Sequence, residues 1–149
     1  MTLTPEALGW APLILDRGFP VLVGPLWTRR DGAMPRFAML AEERHTNIHG
    51  IVHGGMMMTF ADTGLGLTVW EAVGRRPCVT IQFACQFLDA THPGEFVELE
   101  AVILRQSSSV VFVRGGMRVG TRMVGEVNGV WKLLRSPAQT GDSPKAAPP

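Results

Sequence analysis

The 149-residue chain has no excess of charge of either sign: fourteen Lys and Arg stand against thirteen Asp and Glu, for a formal net charge of +1 at pH 7. No basic run is dense enough to follow a phosphate backbone, so nucleic acid is not an expected partner. Long apolar runs are also missing, since no segment approaches the roughly 20 residues of a membrane helix. The fairly apolar stretch from Leu8 to Val23 is broken by Pro12, Asp16, Arg17 and Pro20. No Lys or Arg precedes it, unlike a secretory signal. We therefore expect a soluble cytoplasmic protein with no membrane contact. Cysteine is scarce. Cys78 and Cys85 fall on what reads as one extended strand, roughly 23 Å apart at about 3.3 Å per residue, so they cannot pair within it. With no metal spacing around them, they read as buried or half-buried free thiols in a reducing compartment.

What is present is apolar. At 46% hydrophobic and 18% charged residues, the chain can bury one substantial core, which predicts a single domain. Thr4-Pro5-Glu6 reads as a helix start, with Thr4 as cap and Pro5 at the first helical position, cut short by Gly9 and Pro12. Residues 1–18 form a lead-in. Extended patterns run from Phe19 to Arg30 and from Arg36 to Glu42, with a turn at Arg29-Arg30-Asp31-Gly32.

Between His53 and Glu71 the chain opens with Gly54-Gly55 and continues through Met56, Met57, Met58, Phe60, Leu65, Leu67, Val69 and Trp70. That length fits a helix of about five turns far better than a strand. Apolar residues fall on nearly every side of it, so it should be enclosed by other structure. Gly64 and Gly66 each cost up to about 1 kcal/mol of helix propensity and suggest close backbone approach to a neighbour. Four strand-like stretches follow, Cys78 to Leu88, Phe96 to Gln106, Val110 to Val119 and Met123 to Leu134. The short turns between them suggest antiparallel neighbours or a meander. Residues 136–149 are too poor in apolar content to fold and read as a disordered tail.

Two strands, a long apolar helix and four strands make an α+β domain, spanning 19–135, in which a curved antiparallel sheet wraps around the central helix. That order resembles the hotdog fold. Within it, Asn47-Ile48-His49-Gly50-Ile51-Val52-His53-Gly54-Gly55 followed by Asp62 closely resembles the signature of hotdog acyl-CoA thioesterases of the phenylacetate-degradation (PaaI-like) type and of the mammalian thioesterase superfamily members. The resemblance implies that Asn47 lies in the loop before the helix, that the Gly54 N–H binds the thioester carbonyl, and that Asp62 is base or nucleophile. It places Thr80, in Val79-Thr80-Ile81-Gln82, beside the acid, to orient it or hold water. It implies an acyl-CoA substrate, no cofactor, and a homodimer with sites at its interface, within a homotetramer.

The chemistry gives its own reasons for these residue types. A thioester carbonyl gains negative charge under attack, and the first N–H groups of a helix are unsatisfied donors at its positive end. Gly54, without a side chain, lets substrate reach the backbone closely. Asp62 is eight residues further on, about 12 Å along one helix at 1.5 Å per residue, so one carbonyl cannot meet both. If both act on one substrate, the acid comes from a second copy of the helix in a two-fold dimer. Asp62 would activate water or attack directly, giving a mixed anhydride. Asn47 would position the water or the thioester, and His53 would orient the loop or bond near the carbonyl. Gly55, Met58 and Phe83 are candidate substrate contacts, with Phe60 and Phe87 as further walls of an acyl tunnel. Arg75, Arg76 and Arg105 are candidate partners of the CoA phosphates.

Plainer readings exist for each. An aspartate in an apolar helix can face solvent or cap a break at Thr63-Gly64, glycine pairs open helices for steric reasons, and methionine runs fill cores. His45, His49 and His53 recur every four residues, but Gly50 and the β-branched Ile51-Val52 argue against a helix there, so no metal site is expected. Two rivals remain: a hydroxyacyl-thioester dehydratase or hydratase on the same fold, and a non-catalytic acyl-CoA binding protein. The spacing from Asn47 through His-Gly-Gly to Asp62 favours hydrolysis.

Overall fold

A computed structural model of the chain describes residues 4–135. The tail expected at 136–149 lies outside the described residues. A short helix, α1 (Phe19–Val23), and a long one, α2 (Gly54–Ala72), accompany seven strands. These are β1 (Ala11–Pro12), β2 (Leu26–Arg29), β3 (Arg36–Leu40), β4 (Cys78–Phe87), β5 (Phe96–Gln106), β6 (Val110–Val119) and β7 (Arg122–Leu133). All seven form one antiparallel sheet in the order β1-β2-β3-β5-β6-β7-β4, curved around α2 as a hotdog fold.

Strict alternation dictates the central meander. On β6, Val111, Val113 and Met117 are buried while Phe112, Arg114 and Arg118 are exposed, so one face meets the helix and the other solvent. The inner face of β7 adds Val127 and Trp131. Against them α2 lays Met57, Phe60, Ala61, Gly64, Leu65 and Val69, which recur at intervals of three and four and so share one stripe. Each such Phe, Leu or Val contributes about 1.5–3 kcal/mol through burial. Gly64 sits where a Cβ would come 2.4 Å from Leu99 Cδ2, the close approach that its glycine predicts.

Several expectations are corrected. Phe19 to Val23 is a helix where an extended run was expected. Pro20 sits in its first turn, where a missing N–H costs nothing, and Gly24 closes it with an N–H to Pro20 O at 2.9 Å. The lead-in is a single 3-10 turn, Glu6–Leu8, followed by edge strand β1, with Trp10 only 3% exposed. β4 and β5 are not neighbours: β4 crosses to the far edge and pairs with β7, while β5 pairs with β3 and β6. Phe60 is sealed in the core and walls no tunnel. Nor is α2 enclosed on all sides by its own chain. Met58 is exposed, and Asp62, Thr63, Gly66, Leu67 and Trp70 stay partly exposed. The adjoining edge strand β4 also leaves Val79 and Ile81 exposed.

Candidate active site at the ends of the central helix face

The loop before α2 is built by its own hydrogen bonds. Asn47 N–H donates to Ile51 O at 2.8 Å and Gly50 N–H to Asn47 O at 3.0 Å, with Gly50 taking a left-handed φ of 75°. The Asn47 side-chain oxygen accepts the His49 N–H at 2.8 Å, an Asx turn that leaves the amide NH2 available. Val52 N–H donates to Thr91 O and His53 N–H to His45 O, each at 2.8 Å, which fixes the point where the helix starts.

At that start, His53 is the N-cap and its Nδ1 accepts the Gly55 N–H at 2.8 Å. Met56 and Met57 N–H both donate to His53 O. Among the described residues, Gly54 N–H alone of the first four helical donors has no acceptor. It lies at the positive end of a 19-residue helix, the environment that suits a developing negative charge. Gly54, Asn47, Met57, Phe87 and Thr91 line one cavity of about 350 Å3. Phe87 crowds the glycine, since a Cβ there would stand 3.1 Å from Phe87 Cζ.

The acid lies elsewhere in the same chain. Asp62 is on the uncovered face of α2, and Thr80 Oγ1 on β4 donates to its Oδ1 at 2.7 Å. Two cavities flank the pair. One, about 430 Å3, is lined by Met58, Phe83 and Phe19 with Asp62. The other, about 630 Å3, holds Asp62 and Thr80 with Leu15, Gly66, Trp70 and Trp131. Asp62 therefore meets Thr80, Met58 and Phe83, whereas Asn47 and Gly54 open on a different cavity. Eight residues of helix, about 12 Å, separate the two halves.

The remaining candidates are engaged differently. Gly55 gives its N–H to the cap. Arg75, at a left-handed φ of 67°, pairs with Glu71 at 3.2 Å and stacks over Trp70. Arg76 donates to Leu134 O at 2.7 Å and Ser108 O at 3.1 Å. Arg105 is exposed at the end of β5. His45 is buried with both ring nitrogens engaged, by Glu42 N–H at 3.0 Å and Val23 O at 2.9 Å. Burial raises both the Cys78 and Cys85 thiols above their usual range. Sequence reasoning did not foresee Phe87 against Gly54, or Leu15 and Arg17 of the N-terminal segment beside Asp62. Both are contacts between distant stretches of chain, with no local signal.

A curved sheet around a helix whose N-terminal amide is unpaired, with an acid held by a threonine on its outer face, is an arrangement suited to acyl transfer. The Thioesterase superfamily profile matches residues 49–126, just over half of the chain, and the protein belongs to that family of thioester hydrolases. A candidate esterase from Pseudomonas aeruginosa is 28% identical over 127 residues, covering 84% of this chain and 95% of its own. Zebrafish thioesterase superfamily member 2 superposes with a TM-score of 0.72 at 20% identity, over 80% of this chain and 88% of its own. The phenylacetic acid degradation protein PaaI of Thermus thermophilus, crystallised as a point mutant, gives 0.64 at 23% identity, over 87% and 97%. At such identities the two structures speak for the fold. Among the described residues no helix is long and apolar enough to cross a membrane.

Proposed function

We propose that the protein hydrolyses acyl- or aryl-CoA thioesters at two sites formed between the chains of a homodimer. In each, Gly54 N–H of one protomer binds the thioester oxygen and the partner's Asp62 is base or nucleophile. Thr80 orients that carboxylate, and Asn47 holds the water or the thioester through its amide NH2. The observation that carries the reading is the unpaired Gly54 N–H about 12 Å along one helix from the Thr80-bound Asp62, so that only a second, antiparallel copy of α2 brings the two together. The uncovered face of α2 and the free edge of β4, with Val79 and Ile81 exposed, support a surface for that second copy. Exposed Val102, Leu104 and Phe112 on the outer sheet face support a further contact, pairing dimers into a tetramer. Arg105, exposed at the end of β5, remains available for a CoA phosphate, while Arg75 and Arg76 would first have to leave their present partners.

Thiol release from a panel of CoA esters tests this. Wild-type protein is expected to turn over at least one of them, and Asp62→Asn to lose most of that activity while melting within a few degrees of wild type. No release from any ester, or full activity in a folded Asp62→Asn protein, refutes the proposal.

A further inference from the structure

The cavity that holds Asp62 and Thr80 has an unusual floor. Its walls are largely apolar, from Leu15, Leu67 and Trp70, and below Gly66 lies the indole of Trp131, a core residue 2% exposed. A Cβ on Gly66 would stand 3.2 Å from Trp131 Nε1, so the missing side chain leaves the indole nitrogen directly beneath the helix surface. Trp10 and Trp27 carry indole nitrogens that are sealed in the core without a partner. The Trp131 indole nitrogen is not among those sealed atoms: no side-chain hydrogen bond from it is found among the described residues, and its residue lines the cavity. A buried donor left open toward a groove is satisfied by whatever the groove binds.

We propose that Trp131 and Gly66 set the acyl specificity of the site: the indole N–H donates to an oxygen carried by the acyl group, through the gap that glycine leaves. This rests on Asp62 marking the thioester end of the groove. Gly66 is one helical turn beyond Asp62, about 6 Å. An extended acyl chain places an oxygen on its fifth carbon at roughly that distance from the thioester carbon, at about 1.5 Å per bond before allowing for the zigzag. The preferred substrate class is therefore a compact acyl group bearing a keto or hydroxyl oxygen, because an unsubstituted chain of equal length leaves the buried donor unpaired. Discrimination of this kind comes from the unpaired group as much as from the bond itself.

The test compares hexanoyl-CoA with its 5-oxo counterpart by thiol release, in wild type, Gly66→Ala and Trp131→Phe. Wild type is expected to favour the oxo ester by about tenfold in kcat/KM, the scale of one hydrogen bond. Gly66→Ala, whose methyl covers the nitrogen, and Trp131→Phe, which lacks it, should bring that ratio close to one. Gly66→Ala keeps the experiment decisive if Trp131→Phe folds poorly, and a within-variant ratio is insensitive to a general loss of active protein. Equal rates on the two esters in wild type, or a preference that survives in Gly66→Ala, overturn the proposal while leaving thioester hydrolysis standing. Release from neither ester, nor from any other CoA ester, removes both.

Discussion

Replacing Gly54 by proline removes one hydrogen-bond donor at a position whose backbone already suits proline. The position is the first of α2, where proline is favoured because its amide has no intrahelical partner, and here that amide has no acceptor among the described residues. The preceding residue, His53, has φ −62° and ψ 134°, the extended conformation a residue before proline requires. The new Cβ would meet Phe87, whose ring end would lie 3.1 Å away. Phe87 is 53% exposed and can swing aside. Gly54→Ala has the same Cβ contact but keeps the N–H, so the difference between the two variants reports on the amide donor and on the ring carbon that takes its place. Loss of a single oxyanion donor costs about 100- to 1000-fold in kcat, or roughly 2.7–4 kcal/mol. Thiol release under saturating ester should therefore show Gly54→Pro slower than Gly54→Ala by that factor, with both proteins melting near wild type. Equal rates in the two variants would mean that the Gly54 amide does not bind the carbonyl.

Two further outcomes concern stability. Gly64→Ala gains about 1 kcal/mol of helix propensity. It also drives a methyl to 2.4 Å from Leu99 Cδ2 in a core that is fully closed, and overpacking of that kind costs about 1–3 kcal/mol. The crowding is severe enough to win, so Tm should fall by a few degrees; an unchanged or higher Tm in a thermal melt would contradict the packing described for α2. The loop that carries Thr91, and through it Val52 at the helix entry, is clamped by Arg122, which donates to Asp89 Oδ2 at 2.9 Å, Ala90 O at 2.7 Å and Glu95 Oε1 at 2.5 Å. The Arg122 hydrogen bond, with help from the Ala90 N–H, holds the Asp89 carboxyl below its usual range. For Glu95 burial pulls upward but is outweighed by the His92 N–H and by Arg122, so it too is lowered. Groups with depressed folded pKa values stabilise the fold above their ordinary values near 4 and lose that contribution as pH falls through the folded ones. Denaturant melts from pH 7 down should show stability lost below about pH 4.5, and Arg122→Met should flatten that dependence. An identical pH profile in Arg122→Met would assign the acid loss to other groups.

How much of this was legible depended on how local each cause is. β5 and β6 could be bounded from Phe96 to Gln106 and from Val110 to Val119 because their alternation is a property of a few adjacent residues. α2 declared itself by length. By contrast, Phe19-Pro20-Val21-Leu22-Val23 is apolar and β-branched and reads as strand, yet it forms a helix whose end is gripped by Arg44, donating to Leu22 O at 3.1 Å, and by His45 at Val23 O. Those partners are about 20 residues away and leave no mark on the segment itself. Strand order is equally non-local, and nothing in Cys78 to Phe87 says that it pairs with β7. The helix that seemed apolar all round is covered on one face only, and the apolar residues on its other face are what a second copy would bury. The spacing of Gly54 and Asp62 is legible in the sequence alone, because helix rise is fixed. The ring of Phe87 over Gly54 and the indole beneath Gly66 could not, since each joins distant stretches of chain.

The central claim is that each site takes its amide from one chain and its acid from the other, and mixing two inactive proteins tests it most directly. Gly54→Pro and Asp62→Asn chains, unfolded together in equal amounts and refolded, should assort into dimers of which about half are mixed, each with one intact and one doubly defective site, restoring about a quarter of wild-type activity. Activity no higher than that of the two parents, from a mixture verified to contain mixed dimers, would place amide and acid in sites within a single chain and contradict the account.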